Sequence, residues 1–585
     1  MNEAIAMNDP TLSSKNDPIT LEIVRSGLVL TAEQINARIV RSATSIMVKE
    51  MEDCSAALFD EQGRLLAESA SVPIHLNAIG SCLRTIIDYY IPLDQWNEGD
   101  VVLTNDPYAG PGSLSSHHTN DIIAYTPIFW RGQMVAISAL TVHHVDVGSM
   151  WMACRGWGVE IEQEGLRVPP VKIVQKGELD EQLLSVMVNN SRLRDQLDND
   201  LRAQLSSIAL AKEDMHRLFD RYGYETMRRC FQELIDYSEI RTREEISKFR
   251  DGVYTHEELI LEDGSMGGPF KLALKMTVKG DEIEFDFTGT DSQVRGPINA
   301  PLSATYAATF YAMRCVTDAN IPNTEGSKKP IRIIAEAGTL VNCRWPAACN
   351  QRMVVCHSIV DLVMGAIQAS APERSMADSY GCSYNDLVAT NLATGKRVHF
   401  GEITPGGLGA TSLNDGASAL SCHVTNCPIP PLEATEMESP VLYLQRELVA
   451  DSGGAGRNRG GLGIVLSYEV RADDPQLSHT SQKSKIPPQG ALGGSPGKRG
   501  TWFINQGADQ ERELTTAIGD LEYLKKMDIV TQYTPGGGGY GHPLERDSGK
   551  VLKDVQEGFV SVESALADYG VQIDPVNLSI VAVHR

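Results

Sequence analysis

His118-Thr-Asn-Asp121-Ile-Ile-Ala-Tyr-Thr-Pro-Ile-Phe-Trp-Arg-Gly-Gln-Met-Val-Ala-Ile-Ser-Ala-Leu-Thr-Val-His143-His144-Val-Asp146 is the stretch on which the reading of the N-terminal third turns. Two runs rich in β-branched and aromatic residues, 122–129 and 134–142, flank Trp130-Arg131-Gly132, a pattern that predicts a hairpin. Counting back from that turn sets residues 119–121 across from 142–144. A His/Asp pair on each arm is thereby carried to one end of the same hairpin. A one-residue slip of register reverses which side each side chain faces, so counting leaves His143 and His144 both open.

Working outward, short strands are expected at 54–59, after which Asp60 to Gly63 turns the chain, at 65–67 and at 101–104. Upstream, Asp17 is an N-cap ahead of Pro18, and apolar residues from Leu21 to Met47 recur at helical spacing to about Glu52, with a break expected near Gly27. Downstream, a second helical block runs from Leu193 to Ile240, pauses at Tyr222-Gly223, and is expected to fold as an antiparallel pair. After Gly252 alternating segments return at 259–261, 272–278 and 283–287, followed by a helix near 304–316. Glycine then becomes frequent, at Gly406-Gly407, Gly453-Gly454, Gly460-Gly461, Gly493-Gly494 and Gly536 to Gly539. The expectation is a multi-domain α+β chain: a disordered stretch 1–17, a strand-rich metal-binding domain 18–188, a helical pair 189–250, an α+β middle domain 251–440 and a glycine-rich β-rich part 441–585.

Composition narrows the function. The chain of 585 residues carries 76 acidic against 52 basic side chains, a formal charge of −24, which repels nucleic-acid phosphates and anionic lipid. The densest basic stretch, Arg241 to Arg250, alternates with Glu244, Glu245 and Asp251 and reads as a solvated helix face. Neither nucleic acid nor membrane is an expected partner. Residues 1–17 lack a signal-peptide pattern, and no run of about 18 apolar residues stands out, so a cytoplasmic location is expected. Eleven cysteines at irregular spacing fit reduced thiols better than a disulfide framework. The groups Cys343/Cys349 and Cys422, His423, Cys427 match no zinc module well and are read as buried thiols.

Asp53, His118, Asp121, His143, His144 and Asp146 are the candidate metal and site residues. Imidazole nitrogen mixed with carboxylate oxygen suits Zn, Mn or Fe(II) better than Ca or Mg, and lacks the thiolates of structural zinc. A lone histidine is more often a core residue, but His117, His118, His143 and His144 all fall at this one end of the hairpin. An ion with an open position lowers the pKa of water or polarises a carbonyl, and His144 or Asp146 is expected to orient a ligand or handle protons. The glycine runs offer no Walker loop: Gly497-Lys498 is followed by Arg499 and lacks the required spacing. Gly536 to Gly539 either wraps an anion or builds structural turns, the commoner use. Any ATP chemistry must then come from another chain.

The motifs Asp53 to Asp60, Asn105 to Gly110, His118 to Asp121, His143 to Gly148, Asp286 to Thr290, Arg295 to Pro301, Asp451 to Gly456 and Thr534 to Gly541 occur in order along nearly the whole chain. In them the sequence resembles the B-type subunits of the hydantoinase B/oxoprolinase family, which includes the alpha subunit of acetone carboxylase and the beta subunit of caprolactamase. The resemblance implies Asp53, His118, Asp121 and His143 as ligands of one divalent metal, Zn or Mn. The loop Pro111 to His117 is longer than the family's short connection and adds His117, which leaves His117 against His118 open.

The resemblance further implies a partner, an A-type subunit of actin-like fold that uses ATP and Mg, in an α2β2 heterotetramer. The partner phosphorylates an amide or carbonyl oxygen, and the B-type subunit completes the reaction. The leading expectation is an ATP-dependent cyclic amide hydrolase of hydantoinase, oxoprolinase or lactamase type, in which the phosphorylated ring is attacked by water and opens, with His144 or Asp146 in the proton-handling role. The alternatives are a ketone carboxylase subunit consuming bicarbonate and a non-catalytic assembly subunit with a structural metal.

Overall fold

Trp130 and Gln133 close a two-residue turn in which Arg131 and Gly132 both have positive φ, 52° and 80°. Such a turn matches the right-handed twist of its flanking strands. The computed structural model describes residues 16–75, 78–152, 157–391, 394–519 and 521–584. The expected disorder of 1–17 falls largely on residues outside that range. Asp17 caps the first helix as expected, accepting a hydrogen bond from the Thr20 amide at 3.2 Å.

The strands of the N-terminal third are β1 Cys54–Asp60, β2 Leu65–Glu68, β3 Val101–Thr104, β4 Asp121–Trp130, β5 Gln133–His143, β6 Val171–Gln175 and β7 Glu178–Leu179. They form one seven-stranded sheet in the order β2-β1-β5-β4-β3-β6-β7. Its helices are α1 Pro18–Ser42, α2 Ile46–Lys49, α3 Ala78–Tyr89, α4 Glu181–Asn189, α5 Arg194–Ile208, α6 Ala211–Tyr222 and α7 Tyr224–Ile246. Side chains alternate across the sheet. Even-numbered Cys54, Ala56, Leu58, Ile122, Ala124, Leu140 and Val142 pack with Val24, Leu28, Leu201, Met215 and Phe231 from α1 and α5 to α7. Odd-numbered Ala57, Phe59, Ile123, Tyr125, Ile137 and Ala139 pack against Ile79, Leu83 and Ile86 of α3. Each large aliphatic side chain buried on either face contributes roughly 1.5–3 kcal/mol.

Two helical expectations are corrected. Helix α1 runs unbroken through Gly27, where a Cβ would meet Leu218 of α6 at 3.1 Å. The glycine there provides room for a neighbouring helix, and the chain leaves the helix at Ala43 instead. The block expected as a pair holds three helices, α5, α6 and α7, because the chain also breaks at Ala209-Leu210. Gly223, with φ 76°, makes the second break as expected.

The middle of the chain adds β8 Gly252–Ile260, β9 Phe270–Lys279, β10 Glu282–Asp286 and β11 Ile331–Ile334, a sheet ordered β11-β10-β9-β8, with α8 Leu302–Val316, α9 Glu325–Lys328 and α10 Met353–Ser370. Helix α10 has the length and apolarity of a membrane span, contrary to the expectation that no such run exists. Within the fold it is a core helix, 83% buried over that window. Strands β12 Ser383–Thr390 and β13 Arg397–Ile403 follow, then α11 Leu432–Glu438 and β14 Val441–Leu448, β15 Ile464–Val470, β16 Asp473–Ser481, β17 Thr501–Ile504, β18 Arg512–Leu514, β19 Glu522–Tyr523 and β20 Ile529–Tyr533. They form two sheets, β13-β12-β16-β19 and β14-β15-β20-β17-β18, joined by a core that includes Leu387, Phe400, Leu466, Tyr468 and Trp502.

The glycine runs meet one another backbone to backbone. A Cβ on Gly537 would lie 1.9 Å from the Leu408 carbonyl oxygen, and one on Gly461 1.9 Å from that of Ala417. Amides and carbonyls bridge the layer: Gly461 donates to Leu408 at 2.8 Å and Gly537 to Gly461 at 2.9 Å. Gly536 to Gly539 therefore serve structural packing. All ten cysteines among the described residues are free thiols, and neither Cys343/Cys349 nor Cys422, His423, Cys427 forms a metal-like group there.

Candidate metal centre

The register of three strands builds the site. Asp121 and His143 are Cα partners at the end of the β4–β5 ladder. Cys54 faces Val142 on the other side of β5, and the His143 amide donates to the Asp53 carbonyl at 3.0 Å. Asp53, His143 and Asp121 thus form a row across one end of the sheet, all odd-numbered and all on the α3 face. His118, at the foot of the loop entering β4, completes a group in which ligand atoms of His118, Asp121 and His143 lie within 4.8 Å of one another. Among the described residues no other His, Cys, Asp or Glu cluster reaches that closeness. Asp53 stands beside it on the same cavity wall, linked through His75, whose Nε2 is 3.9 Å from Oδ1 of both Asp53 and Asp121.

The choice between neighbours follows from the alternation. His143 shares the face of Asp121, whereas His144 lies on the helical face, where its Nε2 meets Gln204 Oε1 of α5 at 3.3 Å. Asp146 is turned away as well. It accepts hydrogen bonds from the Arg192 amide at 2.6 Å and the Arg192 guanidinium at 2.8 Å, bracing the loop after β5. Neither His144 nor Asp146 lines the cavity, so the expected proton-handling role finds no geometric support. His118 belongs to the group of three; His117 lies behind it, its Nδ1 3.5 Å from Asp121 Oδ2 and its ring stacked 6.2 Å from that of His75.

Three further side chains, Asn350, Arg352 and His75, reach the site from outside the hairpin, two of them on a loop held by Glu164. Glu164 accepts the Cys349 and Asn350 amides, both at 2.8 Å, and so holds the loop that leads into α10. That loop delivers Asn350, whose side-chain oxygen lies 3.2 Å from His118 Nδ1, and Arg352, which donates to Asp121 Oδ2 at 3.0 Å. His75 arrives on the short turn Pro73–His75, its Nδ1 2.8 Å from Ser55 Oγ. Sequence reasoning missed all three, since none lies near the His/Asp motifs.

An amide oxygen only accepts, so His118 Nδ1 carries the proton and Nε2 presents a lone pair. That lone pair stands 3.1 Å from the Asp121 carboxylate. Burial, together with the Arg352 charge, holds the His118 pKa below its ordinary value and so disfavours protonation as the remedy for two facing acceptors. A shared cation satisfies the contact, and Asp121 Oδ1 makes no hydrogen bond among the described residues. Burial likewise pushes His75 down to about 3, His117 to about 4, and His143 well below the ordinary imidazole range. Neutral imidazoles are the form in which nitrogen binds a metal. Burial and the Asp121 charge push Asp53 up to about 8. Although burial opposes it, Asp121 is held well below the carboxylate range, chiefly by His118, His117 and Arg352. The donor set and its surroundings fit a divalent ion held by His118, Asp121 and His143, with Asp53 within reach of the same space.

The cavity, part of it open to solvent, comprises about 700 Å³ of space between protein atoms. Met47, Met51, Val72, Ile74, Met353 and Ile403 give it apolar walls.

A model of the family described as hydantoinase B/oxoprolinase matches residues 17–543. The chain belongs to the hydantoinase B/oxoprolinase family. An uncharacterized member from Methanocaldococcus jannaschii is 32% identical over 560 residues, covering 95% of this chain and 96% of that one. The caprolactamase subunit beta of Pseudomonas jessenii is 29% identical, covering 95% and 96%. The crystal structure of ATP-dependent caprolactamase from that organism superposes with a TM-score of 0.87 at 26% identity, over 96% of this chain and 97% of that chain. A nucleotide-free acetone carboxylase structure has the same fold, with a TM-score of 0.87 at 18% identity over 97% and 81%. The expected multi-domain α+β architecture of the hydantoinase B/oxoprolinase chain is thus the one observed.

Proposed function

We propose that this chain is the metal-bearing subunit of an ATP-dependent cyclic amide hydrolase, working with an A-type ATPase partner in an α2β2 assembly. The observation that carries the reading is the cluster His118, Asp121 and His143 within 4.8 Å at an apolar-walled cavity, in a chain whose glycine runs form no nucleotide loop. Near full-length similarity to a caprolactamase subunit beta supports cyclic amides over ketones, because the likeness to acetone carboxylase speaks for the fold alone. A subunit name also supports a partner chain.

The residues divide the work by chemistry. Apolar side chains on the cavity wall seat the methylenes of a ring, and the polar end receives its carbonyl. Asn350 keeps the His118 Nε2 lone pair turned to the site, and Arg352 balances the Asp121 charge. A divalent ion, Zn or Mn, supplies Lewis acidity there when bound. Phosphorylation of the amide oxygen by the partner, using ATP and Mg, removes the amide resonance that makes a lactam resist attack by water.

The test is to copurify the chain with its A-type partner and measure divalent metal content together with ATP-dependent turnover of caprolactam, 5-oxoproline and hydantoin. Acetone with labelled bicarbonate is run in parallel. Ring opening that needs ATP and metal supports the proposal. Label fixed into the ketone with no ring opened replaces it with the carboxylase reading, and full activity of the metal-stripped complex leaves only a structural metal.

A further inference from the structure

We propose that His399, oriented by Asp386, is the proton donor to the ring nitrogen that commits the reaction to ring opening; the inference rests on the cyclic amide reading above. Both side chains line the metal-site cavity, and neither was a sequence candidate. His399 Nε2 and Asp386 Oδ1 are 2.8 Å apart, with 6% and 8% of their side chains exposed. A carboxylate accepts, so Nε2 carries the proton of that bond and Nδ1 is the working nitrogen. Nδ1 makes no hydrogen bond among the described residues.

The strand register shows how the pair is built. Asp386 of β12 faces Gly401 of β13, and His399 faces Val388. Positions 399 and 401 share one face, so the imidazole must lie across residue 401 to reach Asp386. A Cβ on Gly401 would stand 2.3 Å from His399 Cε1 and 2.9 Å from Asp386 Oδ1. Only glycine leaves the ring its place.

His399 also lines a second cavity, which shares Met47, Val145 and Gly401 with the first and is bounded by Gln196, Arg397 and Glu438. A donor at such a junction can be reloaded from the second cavity after each turnover. The charged groups around it are Asp386 on β12, Arg397 on its own strand, Glu438 on α11 and Glu402. Arg397 is paired with Asp474 at 2.7 Å and Glu402 with Arg446 at 2.6 Å. Asp386 is thus the carboxylate in direct contact with the ring, and it fixes the ring's orientation.

The chemistry explains why a donor is needed. Water adds to the carbon of the O-phosphorylated amide, forming a C–O bond and leaving one of its protons on nitrogen. The tetrahedral carbon then bears hydroxyl, phosphate and ring nitrogen. Breaking the C–O bond to phosphate regenerates the amide and wastes ATP. Breaking the C–N bond requires a further proton on nitrogen, which His399 Nδ1 gives. The hydroxyl proton is lost as the carbonyl forms, and the products are an amine and an acyl phosphate that a second water converts to carboxylate and phosphate.

The experiment compares wild type, His399→Gln and Asp386→Asn in the complex with its ATPase partner, reading phosphate released against caprolactam, 5-oxoproline or hydantoin opened, with metal content measured alongside. His399→Gln is expected to keep its metal and continue releasing phosphate while ring opening falls about 10²- to 10⁴-fold. Asp386→Asn is expected to uncouple in part, releasing more phosphate per ring opened and lowering kcat for ring opening with KM unchanged, because the imidazole loses the carboxylate that orients it. Phosphate and product falling in step in His399→Gln, or coupling retained, overturns the assignment. A wild-type complex that opens no cyclic amide with ATP overturns the cyclic amide reading and this inference with it.

Discussion

Asp121 and His143 sit Cα opposite Cα on the last rung of the β4–β5 ladder, both on the face turned toward α3. Neighbouring strands lie about 4.8 Å apart, so the hydrogen-bonded ladder itself spaces the two side chains for a shared ion.

Removing either partner should empty the site. Asp121→Ala and His143→Ala are each expected to lower metal affinity by more than the roughly 10- to 100-fold that loss of an outer partner costs. Elemental analysis of the purified complexes after dialysis reads the result, and wild-type metal content in both variants would rule out the cluster.

Asn350→Ala should act indirectly. With the side-chain oxygen gone, His118 Nδ1 loses the bond at 3.2 Å that holds its tautomer and ring orientation. The expected loss of metal affinity is about 10- to 100-fold, measured by competition with a chelator, with an unchanged melting temperature in the metal-free protein.

His144→Ala tests the opposite face. The ring is buried against Gln204, so the substitution should cost roughly 1–3 kcal/mol of stability in urea melts while metal content stays at the wild-type level. Asp146→Ala should behave likewise, through loss of its bonds to Arg192. Metal loss without destabilisation in either variant would contradict the strand parity.

Acid should destabilise the fold through His357 of α10. Burial, followed by the neighbouring His423 charge, depresses its pKa to about 3, while in the unfolded chain it titrates near 6.5. Below that pH the unfolded state binds the extra proton, so stability falls as pH drops, by at most about 1.4 kcal/mol per unit. His357→Gln should therefore gain on wild type by roughly 2 kcal/mol between pH 7 and pH 5, as read from denaturant midpoints. A difference that does not change with pH would show that His357 takes up its proton in the fold.

The hairpin and its His/Asp pairs were legible because strand pairing is arithmetic once a turn such as Arg131-Gly132 is recognised. What counting left open, His143 or His144, was decided by which face the helices cover, a tertiary fact. Gly27 was misread because a glycine inside a helix weakens it locally, and only the approach of Leu218 explains its presence. Asn350, Arg352 and His75 carried no readable signal. They reach the site through a turn and a loop fastened by Glu164, contacts that span long separations. His399 and Asp386 were hidden for a related reason: the glycine that seats them looks, in sequence, like any other glycine of a glycine-rich chain.

The layer around Gly461 and Gly537 has a consequence for how this protein tolerates change. Where one segment's carbonyl oxygen occupies the position a neighbour's first side-chain carbon would take, there is nothing left to trim. Every coding change at such a position inserts matter into filled space, so random mutagenesis of this layer can only wedge it apart. Libraries aimed at altering substrate choice would do better to spare it and vary the methionines and valines of the cavity wall.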